Sequence, residues 1–443
     1  VSLWRSRSGD TIRRDLVATA GSRLAVLPVS AISALLTARL VVEATGAEQY
    51  GLISLIGQLF LMLPFADLGL GVAVARSLAR RGLTGHDARI AIVTLIRTYR
   101  ILVVAAMVAC AAFFVLARAG TWAGLLGVED AYSAEVNKAT AVSLSIFVIA
   151  VPLGLAQRVL IGAGRTQIVS LGTGIAPVAS LLLTVLSVAL GVDSLSIYAV
   201  IPAIGVLVQN AYYFVASWRV SINRYSVTKL LERIDYSRLP HTQLWASAVA
   251  ALILSGAYAV QVQSGKIVVA HVGTALDLSE YAMASQLYQP LASVVFLTGM
   301  ALVKPFSARI PAAKDYWRSA TVLGCVAISA GIALVLAGPW LVSLMSGGQV
   351  PSSLAVLGAF GFLLMAQALT GPAAATLTDP RGIRQQAFAR IIGLAISIPA
   401  AIALAKTIGP AGPPLAAGLA IIVTEVLGLA AVVARRRRAA LVG

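Results

Sequence analysis

Runs of about 20 apolar residues, bounded by charge or by glycine and proline, recur along the whole chain. At 1.5 Å per residue, a run of that length is what a helix needs to cross a roughly 30 Å hydrocarbon core. Lipid leaves every backbone polar group to be satisfied internally, so runs this long are read as helices. The segmentation predicts twelve spans, at roughly 16–40, 50–75, 91–117, 139–161, 168–190, 195–216, 244–272, 281–303, 319–338, 351–372, 387–407 and 413–434. Composition agrees. Of 443 residues, 59% are hydrophobic and 12% charged, about half the charge that a soluble domain carries. That charge cannot coat a soluble surface of this size. A soluble enzyme, a secreted disulfide scaffold and a disordered chain are excluded. Cys110 and Cys325 lie inside apolar runs and read as small hydrophobes. His86, His241 and His271 are far apart and show no metal-ligand spacing, so neither a metal nor another cofactor is expected.

The charges give the chain an orientation. Of the 34 Lys and Arg, 28 fall in the even-numbered loops, the helix ends beside them and the two termini. Cytoplasmic loops carry such an excess, so both termini are expected on the cytoplasmic side and the number of spans is even. The same bias accounts for the net charge of +17 without nucleic acid. The basic stretch before residue 16 is read as a tail ahead of a retained helix, not as a signal peptide. Arg76, Arg80, Arg81 and Arg435–Arg438 are read as topology determinants that also touch anionic lipid.

The longest cytoplasmic connection, 217–243, divides the chain into a lobe of six helices over 1–216 and another over 244–443. The lobes echo one another. Ala38-Arg39-Leu40-Val41-Val42 matches Gly265-Lys266-Ile267-Val268-Val269, a glycine follows seven residues after each cation (Gly46, Gly273), and Tyr50 and Tyr281 open the next spans. With an even helix count in each half, the repeats are parallel and related by an axis along the membrane normal. The expected architecture is an all-α, polytopic membrane protein with two parallel six-helix pseudo-repeats around a central cavity. Prolines 28, 64, 152, 177, 202, 290 and 399 lie within spans, and the polar run Gln261–Lys266 marks span seven as the helix most expected to bend or break.

Charges within the bilayer carry the functional signal, because each costs several kcal/mol unless it meets a cavity or a partner. Arg23 and Asp67 lie at about the same depth on neighbouring spans and are a candidate pair. Arg39 and Lys266 lie toward the outer ends of their spans, against the positive-inside bias. Glu425 lies in the last span and is a candidate for ion coupling, as is Asp67; otherwise it is a helix-packing carboxyl. Gln209, Asn210, Gln286, Gln289 and Gln367 are expected to hydrogen-bond between helices. Arg23, Arg39 and Lys266 against Asp67 leave a positive balance, which suits an anionic substrate, phosphate most simply.

Residues 23–76, with Arg39, Gly46, Tyr50-Gly51 and Asp67-Leu68-Gly69-Leu70-Gly71, resemble the start of bacterial Wzx-type polysaccharide flippases. Those flippases belong to the multidrug/oligosaccharidyl-lipid/polysaccharide (MOP) exporter superfamily. Lys266 and Tyr281-Ala282 repeat the pattern in the second half. The resemblance implies a flippase of the bacterial plasma membrane that moves a polyprenyl-diphosphate-linked oligosaccharide from the inner to the outer leaflet by alternating access. Its implied partners are that anionic lipid-linked oligosaccharide, anionic membrane lipids and the enzymes of polysaccharide assembly. It also implies a basic cavity that takes in Arg23, Arg39, Asp67 and Lys266. No bond is made on this reading, so the chain is not expected to be an enzyme. Two alternatives stand beside it. One is an ion-coupled multidrug exporter of the same superfamily. The other is a membrane glycosyltransferase or polymerase using the outer carboxylates Glu43 and Glu48, against which the short outer loops argue.

Overall fold

The structure is a computed structural model and describes residues 9–62, 85–128, 130–163, 165–222, 242–300, 302, 306 and 311–442. Among these the secondary structure is helical throughout. In chain order the helices are α1 (Gly9–Thr45), α2 (Ala47–Gln58), α3 (Gly85–Arg118), α4 (Thr121–Leu126), α5 (Ser133–Gly162), α6 (Thr166–Gly172), α7 (Ile175–Ala189), α8 (Leu195–Ile222), α9 (Thr242–Val272), α10 (Ala275–Met300), α11 (Ala313–Ser346), α12 (Leu354–Leu369), α13 (Gly371–Thr376), α14 (Pro380–Ile408), α15 (Gly412–Ile421) and α16 (Gly428–Val442). Eight helical runs among the described residues are long and apolar enough to cross a membrane. The last, Arg381–Ala439, doubles back on itself, with α14 packed along α15. The chain is a multi-pass membrane protein.

Helices occupy the described part of the ranges expected from the sequence, and their irregularities lie elsewhere. The α9 helix runs unbroken through Gln261–Lys266, the run marked from the sequence as most expected to bend or break. No proline interrupts it, so its hydrogen-bond ladder is intact. Gly265 serves a different purpose there: the Tyr281 hydroxyl closes on it so tightly that a Cβ would collide. Pro177 also does not kink a continuous span. The helix breaks between α6 and α7, and Pro177 takes a first-turn position of α7, where a missing N–H leaves no intrahelical bond unmade. In the last span, Ile422–Leu427 forms a π-turn around Glu425. A π-turn inserts one extra residue into the ladder and is frequent at functional sites.

The chain divides into two compact units. The first comprises residues 1–37, 64–122 and 133–252; the second comprises 38–63, 123–132 and 253–443.

In the first unit, α5 packs against α3 and α8, and α7 packs along α8. Tyr213 is fully buried, donates to the Val169 carbonyl at 3.0 Å, and lies against Gly172, where any side chain would strike its ring. Asn210 donates to the Ala150 carbonyl at 2.9 Å, two residues before Pro152. At one end of the unit, Glu135 accepts from the backbone N–H of Ser196 at 3.0 Å and from Ser194 Oγ at 3.0 Å. This places a carboxylate at the electropositive start of α8.

In the second unit, α11 and α12 cross at Gly331 and Gly361, where a Cβ on Gly331 would stand 3.2 Å from the Gly361 Cα. Small residues let backbones approach this closely in lipid, and van der Waals contact then holds the pair. Gly331→Leu is expected to lower stability by about 2 kcal/mol through overpacking. A thermal unfolding midpoint unchanged within a degree would count against that crossing. At the other end of α14, Arg436 donates to Asp379 Oδ1 at 2.6 Å and to Gln385 Oε1 at 2.8 Å, tying α16 to the start of α14. The Arg436 hydrogen bond holds the Asp379 carboxyl below its usual range. Its contribution is therefore full above the unfolded pKa of about 4 and fades as pH falls through the lower folded value. Both partners are partly exposed, so Asp379→Asn is expected to cost less than about 1 kcal/mol at pH 7, with the difference from wild type vanishing near pH 2.

Candidate functional site

Among the described residues, Lys266 is the most enclosed cation of the second unit. It lies on α9, 2% exposed. Its ammonium donates to Ser54 Oγ at 3.1 Å and to Gln58 Oε1 at 2.5 Å, both on α2. The sequence forms this contact through close approach. Gly51 lets α2 lie against α10 at Ser279, whose hydroxyl donates to the Ala47 carbonyl at 2.5 Å. Tyr50, on the same helix, donates to Gln286 Oε1 on α10 at 2.7 Å. Lys266 thus has two neutral oxygens as partners and makes no hydrogen bond to a carboxylate among the described residues.

Arg39, which the sequence pattern sets beside Lys266, has a different setting. Its side chain is 44% exposed and pairs with Glu43 one turn on, at 2.8 Å. Glu43, noted as a carboxylate of the first outer loop, is therefore engaged within α1 itself. Arg23 lies on α1 with its side chain outside the described residues, and Asp67 lies outside them altogether, as does their expected pairing.

Glu425 is 3% exposed and accepts from Arg390 Nε at 3.1 Å. Arg390 also stacks its guanidinium 4.8 Å above the Tyr258 ring, a favourable placement for a cation over an aromatic face. Sequence reasoning counted Arg390 only among the 28 basic residues on the even-loop side and gave it no role in the site. In the structure it is part of a buried ion pair on α14. A signal was available: Arg390 and Glu425 have opposite charge and stand about equally far from the basic ends of consecutive spans.

The interior of the second unit also holds polar, neutral groups. Tyr288 donates to Gln367 Oε1 at 2.5 Å, joining α10 to α12. Gln286, Gln367 and Asn210 thus make the inter-helix bonds expected of them. Gln261 is 2% exposed, and neither end of its amide has a hydrogen-bond partner among the described residues. It lines a small cavity with Ser264, Tyr281, Ser397 and Pro413. Gly393 keeps the space between Gln261 and Thr424 open, since a Cβ there would lie 2.8 Å from Thr424 Oγ1 and 3.1 Å from Gln261 Nε2. Among the described residues no group of His, Cys, Asp and Glu could hold a metal ion.

A multi-pass membrane protein, helical among the described residues and with charged side chains buried in its interior, is the class that these features define. Solved structures narrow it. A multidrug resistance MATE family transporter of the MOP superfamily, in its inward-facing conformation, superposes with a TM-score of 0.70 at 14% identity, over 95% of this chain and 98% of that one. The lipid II flippase MurJ, inward closed, gives 0.66 at 14% identity, over 94% and 86%. A MOP superfamily transporter from Pyrococcus furiosus gives 0.63 at 12% identity, over 97% and 96%. The chain therefore has the fold of MOP superfamily transporters along nearly its whole length. No family model matches it, and no curated protein matches it by sequence.

Proposed function

We propose that the protein is a flippase that carries a polyprenyl-diphosphate-linked oligosaccharide from the cytoplasmic to the outer leaflet of the bacterial plasma membrane, by alternating access, for polysaccharide assembly. The observation that carries this reading is Lys266. Among the described residues its ammonium is held by a hydroxyl and an amide oxygen only, so there its charge is solvated but not neutralised. A buried charge in that state is best answered by an anion. A diphosphate supplies that anion, and the sugars and lipid tail need no charge of their own. Arg23 and Arg39 belong to the same proposal as further phosphate contacts. So do twelve spans in two repeated lobes, 1–216 and 244–443, joined by the 217–243 connection, and termini on the cytoplasmic side. Asp67 and Glu425 are the proposed coupling carboxyls. Glu425 can act so only by exchanging Arg390 for a proton or ion.

The fold is shared with transporters of differing cargo. MurJ is named for lipid II, and the Pyrococcus furiosus protein for the reversed polarity of its binding pocket and a different function. Pocket charge is therefore the property on which the substrate class turns. An ion-coupled multidrug exporter is the second reading, favoured by the likeness to the MATE transporter.

Purified protein in liposomes separates the two. A fluorescent polyprenyl-diphosphate oligosaccharide is expected to become accessible to an external glycosidase, and Arg23→Ala and Arg39→Ala are each expected to slow this at least about tenfold. Export of an organic cation that none of the cation variants alters, with no movement of the lipid-linked sugar, would replace the flippase reading by the exporter.

A further inference from the structure

A groove of about 690 Å³ runs along the second unit between α14 and the last span, within the size range of pockets that hold small molecules. Its α14 wall is one helical stripe, Arg381, Arg384, Phe388 and Ile392, at spacings that keep these residues on a single face. The facing wall is Leu429 and Val432, with Gly428 leaving its width open and Thr424 at the deep end. Polarity is graded along this length. Arg381 and Arg384 are exposed and make no hydrogen bond or ion pair among the described residues. The nearby acid, Asp379, is already engaged by Arg436. Beyond the arginines and Gln385 beside them the walls are apolar up to Thr424 at the deep end, and Phe388 is 66% exposed.

From Arg381 to Ile392 the stripe rises about 16 Å. That is close to one leaflet of a roughly 30 Å hydrocarbon core. An unpaired diarginine mouth at the headgroup level, opening onto an apolar trough one leaflet deep, is complementary to a single acidic phospholipid. The phosphate meets the guanidiniums, with bidentate geometry available to each, and an acyl chain lies along Phe388, Ile392, Leu429 and Val432. A polyprenyl chain is much longer than the trough, and a soluble anion would leave its apolar walls uncovered. We infer that this groove is a specific binding site for one acidic diacyl phospholipid. The inference needs the membrane and this groove only, and stands apart from the identity of the transported substrate.

The test is native mass spectrometry of the full-length protein released from nanodiscs of equal parts phosphatidylglycerol and phosphatidylcholine. One phosphatidylglycerol is expected to be retained in preference to phosphatidylcholine. Arg381→Gln/Arg384→Gln is expected to weaken that retention on the order of tenfold. Val432→Trp, which keeps the arginines and fills the trough, is expected to weaken it as well, with both variants eluting as wild type does on size exclusion. Equal retention of the two lipids, or wild-type retention by the double arginine variant, would overturn the site. Loss in the arginine variant but not in Val432→Trp would reduce it to surface adsorption and overturn the groove. Displacement of the retained phosphatidylglycerol by equimolar undecaprenyl phosphate would assign the groove to a polyprenyl chain instead, and also overturns the inference.

Discussion

Glu425→Leu is expected to destabilise the second unit by about 3 kcal/mol, because it removes the carboxylate from a buried arginine and leaves the guanidinium in place. The Arg390 side chain is only 16% exposed and that of Glu425 4%. Water or lipid headgroups can therefore replace the lost partner only in part, which puts the cost at the lower end of the range for broken buried pairs. The stack on Tyr258 softens the loss without supplying a counter-charge. For a unit of this size the change corresponds to a fall of about 6–12 °C in the thermal midpoint. The double variant Arg390→Met/Glu425→Leu is expected to recover most of that, since replacing both ions by apolar groups of similar volume is often neutral or better. The cycle is read by thermal unfolding in detergent. If the double variant is as unstable as the two single variants added together, the pair is not an energetic unit. If transport survives in the recovered double variant, Glu425 has no part in coupling.

Lys266→Met is expected to abolish transport of the lipid-linked substrate, by about 30-fold or more, with the thermal midpoint moving by no more than a few degrees. The two expectations have one cause. Lys266 pays for its burial with two neutral acceptors, Ser54 and Gln58. Removing the charge removes its desolvation cost, and the polar oxygens left behind cost about as much as is regained. The substrate phosphate, by contrast, loses a desolvated counter-charge, a change that commonly costs several kcal/mol in binding. Lys266→Arg is expected to keep part of the activity. Normal flipping by Lys266→Met would remove Lys266 from the site. A large fall in the thermal midpoint with flipping in proportion would make it a packing residue that binds α2 to α9.

The sequence itself located the helices of the described residues. Apolar length and the punctuation by charge, glycine and proline are local properties, and local properties fix where a chain can cross a membrane. The inter-helix roles of Gln286, Gln367 and Asn210 were legible for the same reason: a membrane-deep amide must find a partner within protein. Lys266, Arg39 and Glu425 were found as charges in apolar surroundings, yet their settings were not legible. Arg39 and Lys266 match in sequence, but one pairs along its own helix and is exposed while the other is buried against α2.

Which partners meet was decided by tertiary structure alone. Lys266 and Gln58 are 208 residues apart, and Arg390 and Glu425 are 35 apart. In water an apolar stripe tells which face of a helix turns inward, because the other face must be polar. In lipid that information is lost, since the hydrocarbon outside and the packed core inside are equally apolar. The inward face is set instead by close approach at small residues, at Gly51 against Ser279, Gly265 against Tyr281 and Gly331 against Gly361. Those contacts exist only once the helices have come together.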